Sequence, residues 1–155
     1  MSALSSGDRA PAFTLSADGG GTISLSTFKG KATVLYFYPK DDTPGCTKEA
    51  IDFTAKIDAF RAAGAEVIGV SKDSVEKHDK FKAKHALEVR LASDPDGAML
   101  EAYGVWVEKK LYGKTYMGIE RATFLIDAKG VIREVWRKVR VPGHADAVLA
   151  AVEAL

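Results

Sequence analysis

The chain contains a single cysteine, Cys46, in the stretch YPKDDTPGCTKEA that spans residues 38–50. A thiolate is a strong nucleophile, and unpaired backbone N–H groups and the helix dipole favour a thiolate at the start of a helix. The alternative is a buried, inert cysteine that packs as a small apolar residue. Thr43, Pro44 and Gly45 precede the thiol and are not core-packing residues here, so they favour a reactive cysteine.

The side chains around Cys46 indicate how the sulfur is positioned. Thr43 at a helix N-cap is either a plain cap or directs its hydroxyl towards the sulfur and a polar substrate. Pro44 suits the first helical position, where its missing N–H is not needed. Pro39 ends the preceding strand and is placed to shield the sulfur from water. Glu49, on a neighbouring helical face, is unfavourable beside a thiolate unless a cation lies between them.

Apolar runs and turn residues predict the strands that must hold this site. Two short strands, AFTL and TISL, flank a glycine turn at residues 19–21 and form an N-terminal hairpin. Two apolar segments, KATVLYFYP and AEVIGVS, are predicted to be buried strands, and VRLASD is predicted to be a short strand. A second antiparallel hairpin joins ERATFLID to VIREVWRKV.

Helices are predicted between and after these strands. The longest spans about residues 43–64 and has an apolar face at helical spacing: Ala50, Phe53, Ile57 and Phe60. A polar helix covers residues 74–85 behind Ser74 as its N-cap, and GAMLEAYG forms a short helix. The terminal helix, HADAVLAAVEAL, has an apolar side: Ala147, Val148, Ala151 and Val152.

The order of these elements indicates one α/β domain over residues 1–155. A βαβ first half predicts parallel strands with a right-handed crossover, and the later hairpin makes the sheet mixed. This order is typical of a thioredoxin-like three-layer fold with a mixed central sheet and an added N-terminal β-hairpin. Active sites of open α/β sheets lie beyond the carboxyl ends of the strands, which is where Cys46 falls.

Composition restricts the function classes. Lys plus Arg numbers 22 and Asp plus Glu 21, and this near balance argues against a nucleic-acid or membrane-surface role. No apolar run approaches the roughly 20 residues of a membrane span. The N-terminus has no apolar signal core, and a lone cysteine cannot form an internal disulfide. Together these features predict a reducing, cytoplasmic location.

Pro39, Thr43 and Cys46 spell P-x-x-x-T-x-x-C, which resembles the active-site motif of the peroxiredoxins. The longer runs YFYPKDDTPGCTKEA and YGVWVEKKLYGKTYMGIERATFLID, followed by PGHADAVL, resemble the peroxiredoxin Q or bacterioferritin comigratory protein branch. The similarity extends from about Gly7 to the C-terminus. It implies a thiol peroxidase that reduces hydrogen peroxide and organic hydroperoxides without metal, flavin or haem.

The resemblance also implies roles for individual residues. Cys46 matches the cysteine that attacks the peroxide, and Arg121 matches the arginine that pairs with the thiolate and the peroxide. Thr43 matches the threonine that hydrogen-bonds the peroxide, and Pro39 the proline that shields the thiolate. Glu49 is expected to hold Arg121 in place. Trp106 is a further candidate, as a wall of the peroxide entrance.

The chain departs from many members of that branch, which carry a second, resolving cysteine five positions after the first. Ile51 occupies that position here. We therefore expect the Cys46 sulfenic acid to be reduced by an external thiol such as thioredoxin, glutaredoxin or glutathione. The branch further implies a monomer. The alternative function is a non-enzymatic thioredoxin-like redox sensor or binding module, and a disulfide oxidoreductase is weakened because C-T-K-E is not C-x-x-C.

Other polar residues carry weaker signals. His78 and His85 lie seven positions apart on one predicted helix, but no third ligand accompanies them, so no metal site is expected. His144 begins the terminal helix, and Trp136 is expected in the core or a pocket wall. A basic strip near the last strand is interpreted as a solvated sheet edge: Arg133, Arg137, Lys138 and Arg140.

Overall fold

The computed structural model describes residues 3–155. The strands are β1 (Thr14–Ala17), β2 (Thr22–Ser24), β3 (Ala32–Phe37), β4 (Ala65–Ser71), β5 (Arg90–Ser93), β6 (Trp106–Leu111), β7 (Lys114–Ile119), β8 (Ala122–Ile126) and β9 (Ile132–Trp136). The helices are α1 (Pro44–Ala55), α2 (Ile57–Ala62), α3 (Val75–His85), α4 (Ala98–Ala102) and α5 (His144–Glu153).

Seven strands form one mixed sheet in the order β2-β1-β5-β4-β3-β8-β9. Strands β3, β4 and β5 are parallel because helices connect them, whereas β8 and β9 join through a tight turn and run antiparallel. Strand β1 pairs antiparallel with both β2 and β5, which attaches the N-terminal hairpin to the sheet. The predicted mixed α/β architecture with an added hairpin is confirmed.

The sheet separates two apolar clusters, because successive side chains of a strand point to opposite faces. On β3, Val34 and Tyr36 lie in the first cluster, whereas Leu35 and Phe37 lie in the second. Residues of α1, α2, α3 and α5 complete the first cluster, which also contains Cys46. Residues of α4, the base of β6 and β7 and the N-terminal segment complete the second. The result is three layers.

The long helix predicted over residues 43–64 is two helices. The backbone of Lys56 leaves the helical region, with φ −111° and ψ 8°, and separates α1 from α2. The apolar face is as predicted, since Phe53, Ile57 and Phe60 are all fully buried and the rings of Phe53 and Phe60 lie 5.8 Å apart. The break at Lys56 allows both helices to keep this face on the sheet.

The pair formed by β6 and β7 was not expected from the sequence. The two strands make a separate antiparallel sheet that turns at Tyr112 and Gly113, with φ values of +51° and +76°. Two successive positive φ values match the tight turns that fit the twist of a hairpin. Most of its side chains face solvent, so hydrophobic periodicity gave only a weak signal.

Smaller differences have local causes. Strand β1 lies at Thr14–Ala17 rather than at AFTL, because Ser16 and Ala17 pair with β5. Strand β9 ends at Trp136, since Lys138 adopts a left-handed conformation with φ +48°. On α5, Ala147 is exposed, and the buried side is formed by His144, Ala145, Val148 and Val152. No helix in the described part of the chain is long and apolar enough to span a membrane.

Gly69 provides a test of packing beneath the site. A Cβ atom there would lie 2.6 Å from Cζ of Tyr36 and 2.9 Å from Cδ2 of Leu91, and both residues are fully buried. We expect Gly69→Ala to lower the free energy of unfolding by about 1–3 kcal/mol through overpacking. Gly21→Ala is the control, because its Cβ would meet no atom within 4 Å. Denaturant unfolding measures both, and equal midpoints would contradict the prediction.

Candidate active site

Cys46 lies in the first turn of α1, beyond the carboxyl end of the interior strand β3. Thr43 is the N-cap residue, and Pro44 takes the first helical position as expected. The Cys46 side chain is only 2% exposed and packs in the first apolar cluster. The structure thus combines the two sequence interpretations, since a thiol at a helix N-terminus is also part of the core.

A guanidinium from a distant part of the chain reaches this thiol. Arg121 lies 75 positions after Cys46, and its Nη2 is 3.4 Å from the Cys46 Sγ. The two meet because β8 runs antiparallel to β3, with Ala122 opposite Phe37, so the start of β8 adjoins the end of β3. The backbone N–H of Val139 donates to the Arg121 carbonyl at 3.0 Å and helps to hold this segment.

Glu49 fixes the other arm of the guanidinium. Arg121 Nη1 donates to Glu49 Oε1 at 2.6 Å, and the Glu49 side chain is 2% exposed. Arg121 is therefore the cation that a carboxylate so close to Cys46 requires. The structure brings together the three residues that the resemblance linked.

Burial and the neighbouring charges act in opposite directions on the pKa values of this group. Burial prevails at Glu49 and raises the pKa of its carboxyl to about 7, although Arg121 acts to lower it. The second carboxylate oxygen, Oε2, has no hydrogen-bond partner among the described residues. Burial acts to lower the pKa of Arg121, but Glu49 and Cys46 outweigh it and raise that pKa. Arg121 therefore stays charged while Glu49 titrates near neutrality.

Gly45 has a role that the sequence analysis did not assign. A Cβ atom on Gly45 would lie 3.1 Å from Arg121 Nη2, which is unusually tight. Glycine therefore leaves room for the guanidinium to lie along the first turn of α1. The sequence marked Gly45 only as a residue unsuited to the core, because the position of Arg121 depends on the fold.

The remaining predicted site residues are less directly connected to the sulfur. The Thr43 hydroxyl donates to the Lys40 carbonyl at 2.8 Å and does not cap α1, so its interpretation as a plain side-chain cap is wrong. Pro39 is exposed, two positions after the end of β3. Trp106 is half-buried against the second cluster, with the Lys72 ammonium 4.5 Å from its ring centroid. The roles of Pro39 and Trp106 stay predictions.

Each histidine has a close polar partner: Asp41 for His78, Asp42 for His85 and Thr123 for His144. Burial and then Arg121 lower the pKa of His144 to about 4, so this ring is neutral. His144 also packs edge-on against Trp136 beside the first cluster. Within residues 3–155, no three His, Cys, Asp or Glu side chains are grouped so that they could hold a metal ion.

The basic strip lies along and just beyond β9, at the edge of the sheet. Arg133, Lys138 and Arg140 are exposed, as a solvated edge predicts. Arg137 differs, because it binds Glu120 at 2.7 Å and the Gly104 carbonyl at 2.8 Å.

Comparison with known proteins identifies the family of this chain. A family model described as AhpC/TSA family matches residues 6–135. The chain belongs to the AhpC/TSA family. It is 51% identical over 147 residues to Peroxiredoxin Bcp of Bacillus subtilis, covering 95% of this chain and 94% of that protein.

Solved structures agree with this family assignment. Peroxiredoxin Q of Xanthomonas campestris superimposes with a TM-score of 0.88 at 51% identity, covering 92% of this chain and 90% of that one. A structure of the bacterioferritin comigratory protein of X. campestris gives the same TM-score and coverage at 50% identity, and concerns alkyl peroxide reduction by that protein.

These relatives establish the activity class. This AhpC/TSA family member has the thioredoxin-like peroxiredoxin fold and is a thiol-dependent peroxidase of the peroxiredoxin Q branch with a single cysteine. It acts on peroxides with a thiol reductant. A non-enzymatic redox sensor or binding module, the alternative function, is not favoured.

The buried Glu49 makes stability depend on pH. Its folded pKa of about 7 exceeds the ordinary value of 4.5, so the folded state binds the proton more tightly than the unfolded chain. The stability that protonation of Glu49 contributes is fully present below the pKa of Glu49 in the unfolded chain. It is lost as pH rises through the pKa of Glu49 in the folded state. Between pH 5 and pH 8, we expect the wild-type chain to lose about 2 kcal/mol more unfolding free energy than Glu49→Gln.

Urea unfolding of both chains at the two pH values measures this difference. Glu134→Gln is the control, because Glu134 is exposed on β9. Its pH dependence should match that of the wild-type chain. Parallel pH curves for Glu49→Gln and the wild-type chain would show that Glu49 ionises as an ordinary carboxyl.

Proposed function

We propose that Cys46 attacks the peroxide and that Arg121 and Thr43 bind the reacting oxygen atoms. The observation that carries this proposal is the 3.4 Å contact of Arg121 Nη2 with Cys46 Sγ. The guanidinium has five N–H donors, and the contacts with Glu49 and Cys46 orient it while leaving donors for a peroxide. A cation in this position stabilises the thiolate before the reaction and the negative oxygen formed during it.

In the proposed reaction, the Cys46 thiolate forms an S–O bond to the terminal oxygen of a hydroperoxide while the O–O bond breaks. The sulfur is oxidised to a sulfenic acid and keeps the terminal OH. The leaving oxygen takes the electron pair of the broken bond and accepts a proton from water, which gives water from hydrogen peroxide or an alcohol from an organic hydroperoxide. Arg121 stabilises the negative charge that develops on the leaving oxygen.

The Thr43 hydroxyl is suited to accept a hydrogen bond from the peroxide. Its hydrogen is used in the bond to the Lys40 carbonyl, which leaves its oxygen lone pairs as acceptors. A peroxide whose OH donates to the Thr43 hydroxyl can accept a hydrogen bond from Arg121 on the same oxygen. The two contacts would hold that oxygen near the Cys46 sulfur. We assign Pro39 to shielding of the sulfur, Glu49 to orientation of Arg121 and Trp106 to the peroxide entrance.

Recycling is proposed to need two external thiols. The first attacks the Cys46 sulfur, releases water and forms a mixed disulfide, and the second displaces Cys46 as a free thiol while it forms a disulfide with the first. Cys46 is the only cysteine in the sequence, and Ile51, which takes the place of a resolving thiol, is 41% exposed on α1. Thioredoxin, glutaredoxin and glutathione are the candidate reductants.

The wider setting follows from the same features. We propose hydrogen peroxide and organic hydroperoxides as substrates, the latter because a relative 50% identical to this chain is associated with alkyl peroxide reduction. We further propose a single-domain monomer over residues 1–155 with no bound cofactor. A reducing, cytoplasmic location is proposed because the mechanism needs its one cysteine as a free thiol.

Substitution of the three reacting side chains tests these roles. We expect Cys46→Ser to abolish turnover. Arg121→Ala should slow Cys46 oxidation by about 10²–10³-fold, since it removes a charged donor from the reacting oxygens. Thr43→Val should slow it by about tenfold, the effect of losing one hydrogen bond in the transition state. Stopped-flow measurement of the single-turnover oxidation rate, with hydrogen peroxide and an organic hydroperoxide, gives each value.

Arg133→Ala is the matched control, because Arg133 is an exposed arginine on β9. It should oxidise at the wild-type rate. Full peroxidase activity in Cys46→Ser, or an unchanged oxidation rate in Arg121→Ala, would contradict the proposed site.

The absence of a second cysteine predicts easy over-oxidation. At high peroxide and without a reductant, the sulfenic acid persists and reacts again to form a sulfinic acid. Intact-mass spectrometry should then show two oxygen atoms added per chain. Ile51→Cys offers a comparison, because a thiol at the position where many members of the branch carry a resolving cysteine can capture the sulfenic acid as a disulfide once α1 unwinds locally. Equal sulfinate yields from both chains after identical peroxide exposure would count against this prediction.

A further inference from the structure

A second buried polar group lies beside the active-site loop and is not used in the proposed reaction. Tyr38, Asp41 and His78 are 1%, 8% and 0% exposed. The Tyr38 hydroxyl donates to Asp41 Oδ1 at 2.6 Å, and His78 Nδ1 lies 2.6 Å from Asp41 Oδ2. His78 Nε2 donates to the carbonyl of Ala92 on β5 at 3.0 Å.

The geometry requires a proton between His78 and Asp41. The Ala92 carbonyl can only accept, so His78 Nε2 carries a hydrogen. If Nδ1 and Oδ2 both presented lone pairs at 2.6 Å, they would repel each other. A hydrogen therefore lies between them, on either atom, and both oxygens of Asp41 accept or share a short hydrogen bond. All the polar side-chain atoms of this group are satisfied, which is the condition for a buried polar network to hold its shape.

Asp41 belongs to the loop that carries the reacting residues. It lies between β3 and α1, two positions before Thr43 and five before Cys46. Its backbone N–H donates to Asp73 Oδ2 at 2.8 Å, and that oxygen also accepts from Ser71 Oγ at 2.8 Å. The side chain and the backbone of Asp41 thus tie the loop to the start of α3, to α3 itself and to the end of β4.

The next residue makes a similar but exposed contact. Asp42 binds Lys84 Nζ at 2.7 Å and His85 Nε2 at 2.9 Å, and its side chain is 44% exposed. Solvent screens such contacts, and exposed ion pairs contribute little to stability. Consecutive acidic residues of one loop therefore bind the same helix, but only Asp41 does so in the core.

We propose that Tyr38, Asp41 and His78 form a buried latch that holds residues 39–45 in the conformation needed for peroxide attack. The three are positioning residues, because none of them makes a hydrogen bond to Cys46 or Arg121 in the described structure. The latch sets where the chain enters α1, and so sets the distance between the Thr43 hydroxyl, the sulfur and the guanidinium. This inference rests on the proposed roles of Cys46 and Thr43.

A positional effect of this kind is expected to be large for the reaction and small for the rest of the fold. A displacement of about 1 Å in a reacting group can slow a reaction about 10²-fold. Asp41→Ala releases the loop without stranding a charge, because a neutral His78 can keep its bond to Ala92 and accept from the Tyr38 hydroxyl, now 3.4 Å from Nδ1. Asp41→Asn can rebuild both contacts, with its amide N–H donating to His78 and its oxygen accepting from Tyr38.

The test is the oxidation of Cys46 in a single turnover, quenched at intervals with a 1,3-dione that traps sulfenic acid and followed by mass spectrometry. We expect Asp41→Ala to lower the second-order rate constant at least about tenfold. Asp41→Asn should stay within about threefold of the wild-type chain. Asp42→Asn, the matched control at the exposed contact, should stay within about twofold. The trapped amplitude should stay full in all three, since the amplitude reports the folded, competent fraction.

A second measurement separates positioning from general loss of structure. The sulfenic acid formed in Asp41→Ala should react with added dithiothreitol at least as fast as in the wild-type chain, because a released loop exposes the sulfur. Wild-type oxidation rates in Asp41→Ala, or a reduced amplitude with an unchanged rate constant, would overturn the latch.

If Asp41→Ala does not unfold cooperatively on heating, Tyr38→Phe is the variant that tests the latch, because it removes only one hydroxyl from the group. We expect oxidation about threefold slower or more, and a wild-type rate would overturn the proposal. Failure of the proposed function is distinguishable, because Cys46 of the unsubstituted chain would then also remain unoxidised.

Discussion

The site depends on one partly buried cation, Arg121. The Arg121 side chain is 17% exposed and lies between a carboxylate with 2% exposure and a thiol that packs in the core. A Glu49 carboxylate is not stable there alone, because removal of one partner from a buried ion pair typically costs about 3–5 kcal/mol. The guanidinium that stabilises a buried Glu49 carboxylate also donates a hydrogen bond to the Cys46 sulfur. One side chain therefore joins a structural ion pair to the thiol.

The rest of the structure serves to bring that cation to the thiol. Strand β8 places Arg121 at the end of β3, Gly45 leaves space along the first turn of α1, and Val139 holds the Arg121 backbone. None of these contributions is local in the sequence. The mixed sheet is what makes the meeting possible, since an antiparallel neighbour presents the start of its strand at the carboxyl end of β3.

The loop between β3 and α1 lies largely at the surface, and the proposed latch requires it to keep one conformation there. Two acidic residues of the loop bind α3, one in the core and one at the surface. Asp41 reaches a fully buried histidine, and Asp42 a solvent-exposed pair. A chain with one cysteine has no internal disulfide to form during turnover, so it has no need to unwind α1 for its own chemistry. A firmly bound loop is compatible with that condition, provided that an external thiol can still reach the sulfur.

Local sequence patterns were sufficient to locate most of the helices and strands and to mark the candidate nucleophile. Continuous apolar runs marked β3 and β4, Ser74 marked the start of α3, and the P-x-x-x-T-x-x-C pattern marked Cys46 and Thr43. These signals are local, since they depend on periodicity, capping and short spacing. The sequence missed the hairpin of β6 and β7, the break at Lys56 and the role of Gly45. Packing of the folded chain sets the pKa of Glu49 and the pairing of Asp41 with His78, because both depend on which side chains exclude water from a neighbour distant in sequence. The bond from the Thr43 hydroxyl to the Lys40 carbonyl spans only three positions, but it depends on the conformation of the loop, which periodicity and capping rules do not specify.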